Sequence, residues 1–303
     1  TAGTLRNGTM QSAAGFIMQS GSVWADLAGL GGLTKSGAGT LLLAGTNRYT
    51  GGTTLGAGSL VLGADAVLTA TAQFTQNGGV FDLGGFSTGS GTYALNGGLI
   101  RNGTLTATSF ELASGTVDAL LAGTGRATKT SNGTVLLLGE IATTGDLAIS
   151  GGTLLLGASD RINDGTRLLL ELGGTLDLGG FSERIGRLQL KGGSVVRGTF
   201  EADIYEVTAG VIGVGLTGRA GLDKISDGTP GGGLALFTAP NTYSGGTTVS
   251  AGTLLLAGVD LLNTAGSLTV QGGTFDMGGY RQTVSIGTLL SGVITGGTLL
   301  VTP

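Results

Sequence analysis

The chain has 303 residues and a formal charge of −4, with 64 glycines, 3 prolines and neither cysteine nor histidine. That composition excludes disulfides, thiol nucleophiles, cysteine or histidine metal sites and every histidine-based catalytic triad. Charged residues reach only 11%, against about 25% in an ordinary soluble domain, while 40% apolar residues suffice for a packed core.

Residues 1–32 read as the end of a preceding repeat, because Arg6 recurs as Arg101 and Arg197 at spacings of 95 and 96. Residues 33–127, 128–221 and 222–303 then form about three copies of a period near 95 in a single body. Lys35, Lys129 and Lys224 mark the start of each copy. Gly58, Gly152 and Gly252 precede Ser59-Leu60-Val61-Leu62, Thr153-Leu154-Leu155-Leu156 and Thr253-Leu254-Leu255-Leu256. Asp82, Asp177 and Asp276 follow in Phe-Asp-Leu-Gly-Gly, Leu-Asp-Leu-Gly-Gly and Phe-Asp-Met-Gly-Gly. Pieces such as Thr-Leu-x-Leu alternate with period two, and Gly-Gly, Asn-Gly and Ser-Gly punctuate them. The pattern predicts an all-β chain of short strands with essentially no helix.

Serial duplication and scarce charge favour a β-solenoid over a sandwich or barrel. In stacked coils, like charges would lie about 4.7–4.9 Å apart, which disfavours them. Coils of about 22 residues predict about 14 of them, stacked about 4.8 Å apart as a rod. Leu, Val, Ile and Phe are expected to fill the interior, and Leu155 is assigned to it. Thr and Ser are expected outside, with Gly and Asn in the turns. The third copy is longer: Lys35 to Asn47 spans 12 residues, and Lys224 to Asn241 spans 17. The surplus is expected to bulge outward at 226–233, which makes Ser226, Asp227, Gly228, Thr229 and Pro230 a candidate contact loop.

Residues 33–63 carry Leu33-Thr34-Lys35, Gly39-Thr40-Leu41, Asn47-Arg48-Tyr49, Gly51-Gly52-Thr53 and Gly58-Ser59-Leu60 in a fixed order. Asn241, Tyr243, Gly245-Gly246-Thr247 and Gly252-Thr253-Leu254 repeat the later part. This pattern resembles the autotransporter-associated β-strand repeat of bacterial passenger domains. In residues 128–157 the Asn-x-Tyr-x-Gly-Gly part gives way to Glu140-Ile141-Ala142-Thr143-Thr144-Gly145. The resemblance implies a right-handed parallel β-helix, a Gram-negative origin, and an exported stalk once joined to an outer-membrane barrel translocator.

Other motifs read as structure. Gly85-Phe86-Ser87-Thr88-Gly89 matches a nucleophile elbow but has no histidine to serve it, and Gly213–Gly218 matches G-x-G-x-x-G without a following helix. Asp82, Asp177 and Asp276 are expected to be too far apart to act as a glycosidase pair, and are read as turn residues. Asp160-Arg161-Ile162-Asn163-Asp164 lacks calcium-loop spacing. Asn7-Gly8-Thr9, Asn102-Gly103-Thr104 and Asn132-Gly133-Thr134 are read as turns rather than glycosylation sites. Tyr49 and Tyr243 are carried as candidates for stacking on carbohydrate.

The scattered basic residues argue against a nucleic-acid partner, and short apolar runs against a membrane-inserted helix. Thr1 opens no charged-then-apolar leader, as expected of a mature or excised segment, or of a cytosolic chain. The expected function is a non-enzymatic surface stalk, reached by export through the periplasm and acting in adhesion or self-association toward itself or a host-cell ligand. No catalytic residue, cofactor or metal is assigned. The alternatives are a β-helical polysaccharide-binding or polysaccharide-degrading protein, disfavoured by the missing histidine and paired aspartates, and an ice-binding fibre, disfavoured by irregular threonine ranks.

Overall fold

The computed structural model describes residues 3–302, and among them every regular element is a strand and none is a helix. The chain is a parallel β-solenoid of about 16 turns, divided into two compact units at Asp146/Leu147.

In the first unit, one inward column runs Leu41, Leu60, Phe81, Ile100, Val117 and Leu137, each opposite the next in register. A second runs Phe16, Leu33, Thr53, Phe74, Tyr93, Phe110 and Ala127. All of these residues are buried. Shorter pairings such as Met10–Leu27 and Leu105–Leu121–Ile141 close a third side. The aromatic members touch one another, Phe74 stacking on Phe81 within one turn at 4.5 Å and Tyr93 lying edge-on to Phe110 of the next turn at 6.2 Å.

The second unit repeats the scheme with Leu154–Leu176–Val195 and Ala235–Leu254–Phe275–Ile294 on one side. Leu147–Leu168–Leu188 and Leu222–Thr247–Leu268 line the next. In the first unit the steps from Leu41 to Leu137 are 17 to 21 residues, shorter than the expected coil, so the turns outnumber the expected 14. A longer step, Gly210 to Ala235, takes up the insertion of the third copy.

The facing of Leu155 requires correction. Leu154 and Leu156 are buried at 0% and 1% exposure, whereas Leu155 lies between them on the outer face, opposite Asp177 of the next turn. A period of two allows either phase when three leucines stand in a row, and the local strand takes the other one.

Candidate functional site

The residues that define the repeat point inward and bind the corners between strands. Lys35 is fully buried, and its Nζ donates to the carbonyls of Ser36 at 3.0 Å and of Gly37 and Ala57 at 2.8 Å. Lys224 does the same toward Ile225, Gly232 and Ala251 at 2.8, 2.8 and 3.0 Å. Lys129, also buried, donates to the Ser131 carbonyl. Burial holds each of these ammonium groups below the usual lysine range, and Lys224 is lowered to about 8. The glycine that opens the following Gly-Ser/Thr-Leu run makes room for the clamp. Gly58 and Gly252 have φ of +69° and +68°, and a Cβ at either would strike the lysine Nζ.

Asn47 accepts from Leu27 N–H at 3.0 Å and donates to the carbonyls of Gly45 and Val67 at 2.9 Å each. Asn241 makes the same set with Leu216, Ala239 and Leu261. Tyr49 and Tyr243 are enclosed at 0% and 1% exposure, each with its hydroxyl 2.6 Å from Thr53 or Thr247. Neither ring presents a face to solvent, so neither can stack on a carbohydrate. In the middle copy Ile141 and Thr143 fill the corresponding corner, both buried, and the Thr143 hydroxyl lacks a hydrogen-bond partner among the described residues. Apolar packing there replaces the Asn and Tyr hydrogen bonds.

The recurrent aspartates cap turns. Asp82, Asp177 and Asp276 accept from the N–H of Gly84, Gly179 and Gly278 at 2.9, 3.0 and 2.9 Å. Arg101 of the next turn donates to Asp82 at 2.9 Å, and Arg197 pairs with Asp177 in the same way. Ser87 is an exposed residue whose N–H is bound by Asp65, and Gly213–Gly218 runs through and just past a strand. No group of three or more acidic residues among those described could hold a metal.

Outward features are sparser. Residues 226–231 lie exposed between the strands Leu222–Lys224 and Leu234–Phe237. Asp227 Oδ1 accepts from Thr229 N–H at 2.9 Å and from its hydroxyl at 2.6 Å, and Gly228 N–H donates to Ser226 Oγ at 3.0 Å. Beside this loop is a groove of about 350 Å³ lined by Gln189, Lys191, Glu206, Thr208, Ser226 and Asp227. Donors and acceptors of both charges converge there.

The passenger-associated-transport-repeat family matches residues 33–62, which hold Lys35, Asn47 and Tyr49, and residues 231–256, which hold Asn241 and Tyr243 and begin shortly after Lys224. The chain carries the repeats of an autotransporter passenger domain. It is also similar to the adhesin BmaC autotransporter of Brucella suis biovar 1 (strain 1330), 36% identical over 134 residues. That stretch covers 42% of this chain and 4% of the relative. No solved structure gives a significant match. The passenger repeats and the observed solenoid agree: the residues that define the motif are the ones that hold each corner.

Proposed function

We propose that this chain is a non-enzymatic part of a surface-exposed autotransporter passenger, acting in adhesion or self-association. The observation that supports it is the pair of passenger repeats at 33–62 and 231–256, together with similarity to an adhesin of the same type. Because the repeat side chains are spent on internal hydrogen bonds, recognition falls to outward residues. The inserted loop Ser226–Pro230 and its adjoining groove are the contact surface in this reading. Export to the cell surface would use a β-barrel translocator elsewhere in the full-length polypeptide.

The purified chain, and a variant lacking 226–231, would be compared for retention on immobilised host cells and for self-association by sedimentation. The reading expects saturable binding to cells or to itself, reduced at least fivefold by the deletion with the melting temperature kept. Absence of both kinds of binding, or depolymerisation of a polysaccharide by the purified chain, would overturn it.

A further inference from the structure

All five Asn-Gly pairs of the chain lie in the first unit: Asn7-Gly8, Asn77-Gly78, Asn96-Gly97, Asn102-Gly103 and Asn132-Gly133. In such a pair the glycine nitrogen, uncrowded by a side chain, can attack the carboxamide carbon of the asparagine before it. Attack requires a carboxamide free to turn and a nitrogen on the same flank as the side chain. Four of the pairs fail one condition or the other.

Asn7 and Asn102 have φ of 60° and 58°. For a residue with a side chain, φ in that range confines ψ to about +30° to +60°. The glycine nitrogen then stands anti to the asparagine Cβ, out of reach of Cγ. Asn102 is tied as well, its Nδ2 donating to Asp82 Oδ1 at 3.1 Å. Asn96 Nδ2 donates to Asn77 Oδ1 at 2.8 Å, so these two carboxamides hold each other across adjacent turns. Asn132 is under neither restraint. It is exposed, its φ is negative, and its side chain has no hydrogen-bond partner among the described residues. The Gly133 N–H makes only a long contact of 3.4 Å with Ser131 Oγ.

We propose that Asn132-Gly133 is a self-modification site, converting to aspartate and isoaspartate with loss of ammonia, and that the isoaspartyl form loosens the corner held by Lys129. The Gly133 backbone nitrogen gives up its proton and bonds to Asn132 Cγ. The bond from Cγ to the carboxamide nitrogen breaks, and that nitrogen leaves as ammonia with the proton. Water then opens the resulting succinimide ring at either carbonyl. One opening leaves aspartate, and the other leaves isoaspartate, with the main chain rerouted through Cγ. The corner has little room for the second product. Lys129 Nζ donates to the Ser131 carbonyl, and Ser131 Oγ donates to the Ala113 carbonyl at 2.6 Å. Gly133 packs so closely on the turn before it that a Cβ there would come within 2.9 Å of Ser114 Cβ. An isoaspartyl linkage adds a carbon to the main chain between these two anchors, so residues 131 and 133 cannot both keep their contacts.

The test ages the folded chain in mildly alkaline heavy-oxygen water, which labels each new carboxyl, and maps the peptides by mass spectrometry. Asn132 should convert about tenfold faster than Asn96 or Asn102, the factor that one held hydrogen bond imposes. In denaturant all five pairs should convert at similar rates. Conversion at Asn96 or Asn102 as fast as at Asn132 in the folded chain, or none at Asn132, would overturn the site. Amide hydrogen exchange reads the loosening: residues 131–134 should exchange several-fold faster in the aged chain than in the fresh one. Aged Asn132→Gln should show no gain, because its longer side chain closes the ring poorly. Unchanged exchange in the aged wild-type chain, or the same gain in the variant, would overturn the loosening.

Discussion

Leu155 lies directly opposite Asp177 on the outer face of the second unit, and Val61–Asp82 and Leu255–Asp276 are paired in the same way in the other copies. The middle residue of each apolar run therefore neighbours a carboxylate. Its flanking residues, Leu154 and Leu156, are the ones sealed inside.

Aspartate should accordingly be tolerated at one position and not at the next. Leu154→Asp buries an unpaired charge against Leu176 and should cost several kcal/mol, enough to unfold the unit or lower its melting temperature sharply. Leu155→Asp should cost about 1 kcal/mol or less, because its carboxylate reaches water, although it neighbours the Asp177–Arg197 pair. Thermal denaturation of both variants measures the difference. Equal losses would show that the strand phase is wrong.

The period near 95 was legible because stacked turns place a residue and its successor one turn apart in equivalent settings. Asp82 and Arg101 recur as markers because they bind each other across 19 residues, and Asp177 with Arg197 across 20. Scarce charge reads from the sequence as a penalty of like stacking, whereas in the structure opposite charges staple adjacent turns. The phase of Thr153-Leu154-Leu155-Leu156 was not legible, since leucine satisfies both faces of a half-covered strand. Nor was the fate of Lys35 and Lys224: a lysine is ordinarily exposed, and only the three turn carbonyls around each Nζ explain its burial. The corner shared by Thr88, Glu183 and Gln282 was not legible, because a hydroxyl, a carboxyl and an amide do not look alike as letters, yet each accepts backbone N–H from the preceding turn: Leu68 for Thr88, Arg161 and Ile162 for Glu183, and Leu262 for Gln282.

Tyr49→Phe and Tyr243→Phe isolate one hydroxyl each. Every such change removes a buried 2.6 Å hydrogen bond to Thr53 or Thr247 and leaves that threonine unpaired. Each should destabilise its unit by about 1–2 kcal/mol. Burial pushes the Tyr49 hydroxyl up to about 12, opposed by the Thr53 hydrogen bond, so the phenol stays neutral throughout the physiological range. Binding to any carbohydrate should be unchanged in both variants. Glycan-array profiles that collapse while the melting curve holds would return the rings to a ligand site.

Lys224 gives the second unit a pH dependence. Its folded value is depressed to about 8, chiefly by burial, with Asp227 and Asp223 partly restoring it. The cost of the buried ammonium is thus complete below about 8 and is relieved as pH rises toward the ordinary lysine value. Stability of the second unit should rise between about pH 8 and 10, and Lys224→Met should abolish the rise. The same variant strands the carbonyls of Ile225, Gly232 and Ala251 and should lower stability by about 1–3 kcal/mol at pH 7. Melting curves across this range that are parallel for the two proteins would show that the lysine does not titrate there.

The inserted loop should be the first site of cleavage. Its bonds are local, from Thr229 and Gly228 to the side chains of Asp227 and Ser226, and from Gly232 N–H to the Thr229 carbonyl. Residues 226–231 are all exposed, and a protease needs a stretch of chain free to enter its cleft. The boundaries of the loop are firmer: Ile225 N–H is bound to the Val207 carbonyl, and the Gly232 carbonyl is held by Lys224. Cleavage by a low-specificity protease should therefore begin between 226 and 231 and spare the strands on either side. In Lys224→Met the clamp on Gly232 is gone, so the susceptible stretch should lengthen toward 233 and the first cut should come several-fold faster. Mass spectrometry of the earliest fragments reads both effects, and a first cut within 41–62 or 153–178 with the loop intact would show that the loop is held by contacts beyond those of its own residues.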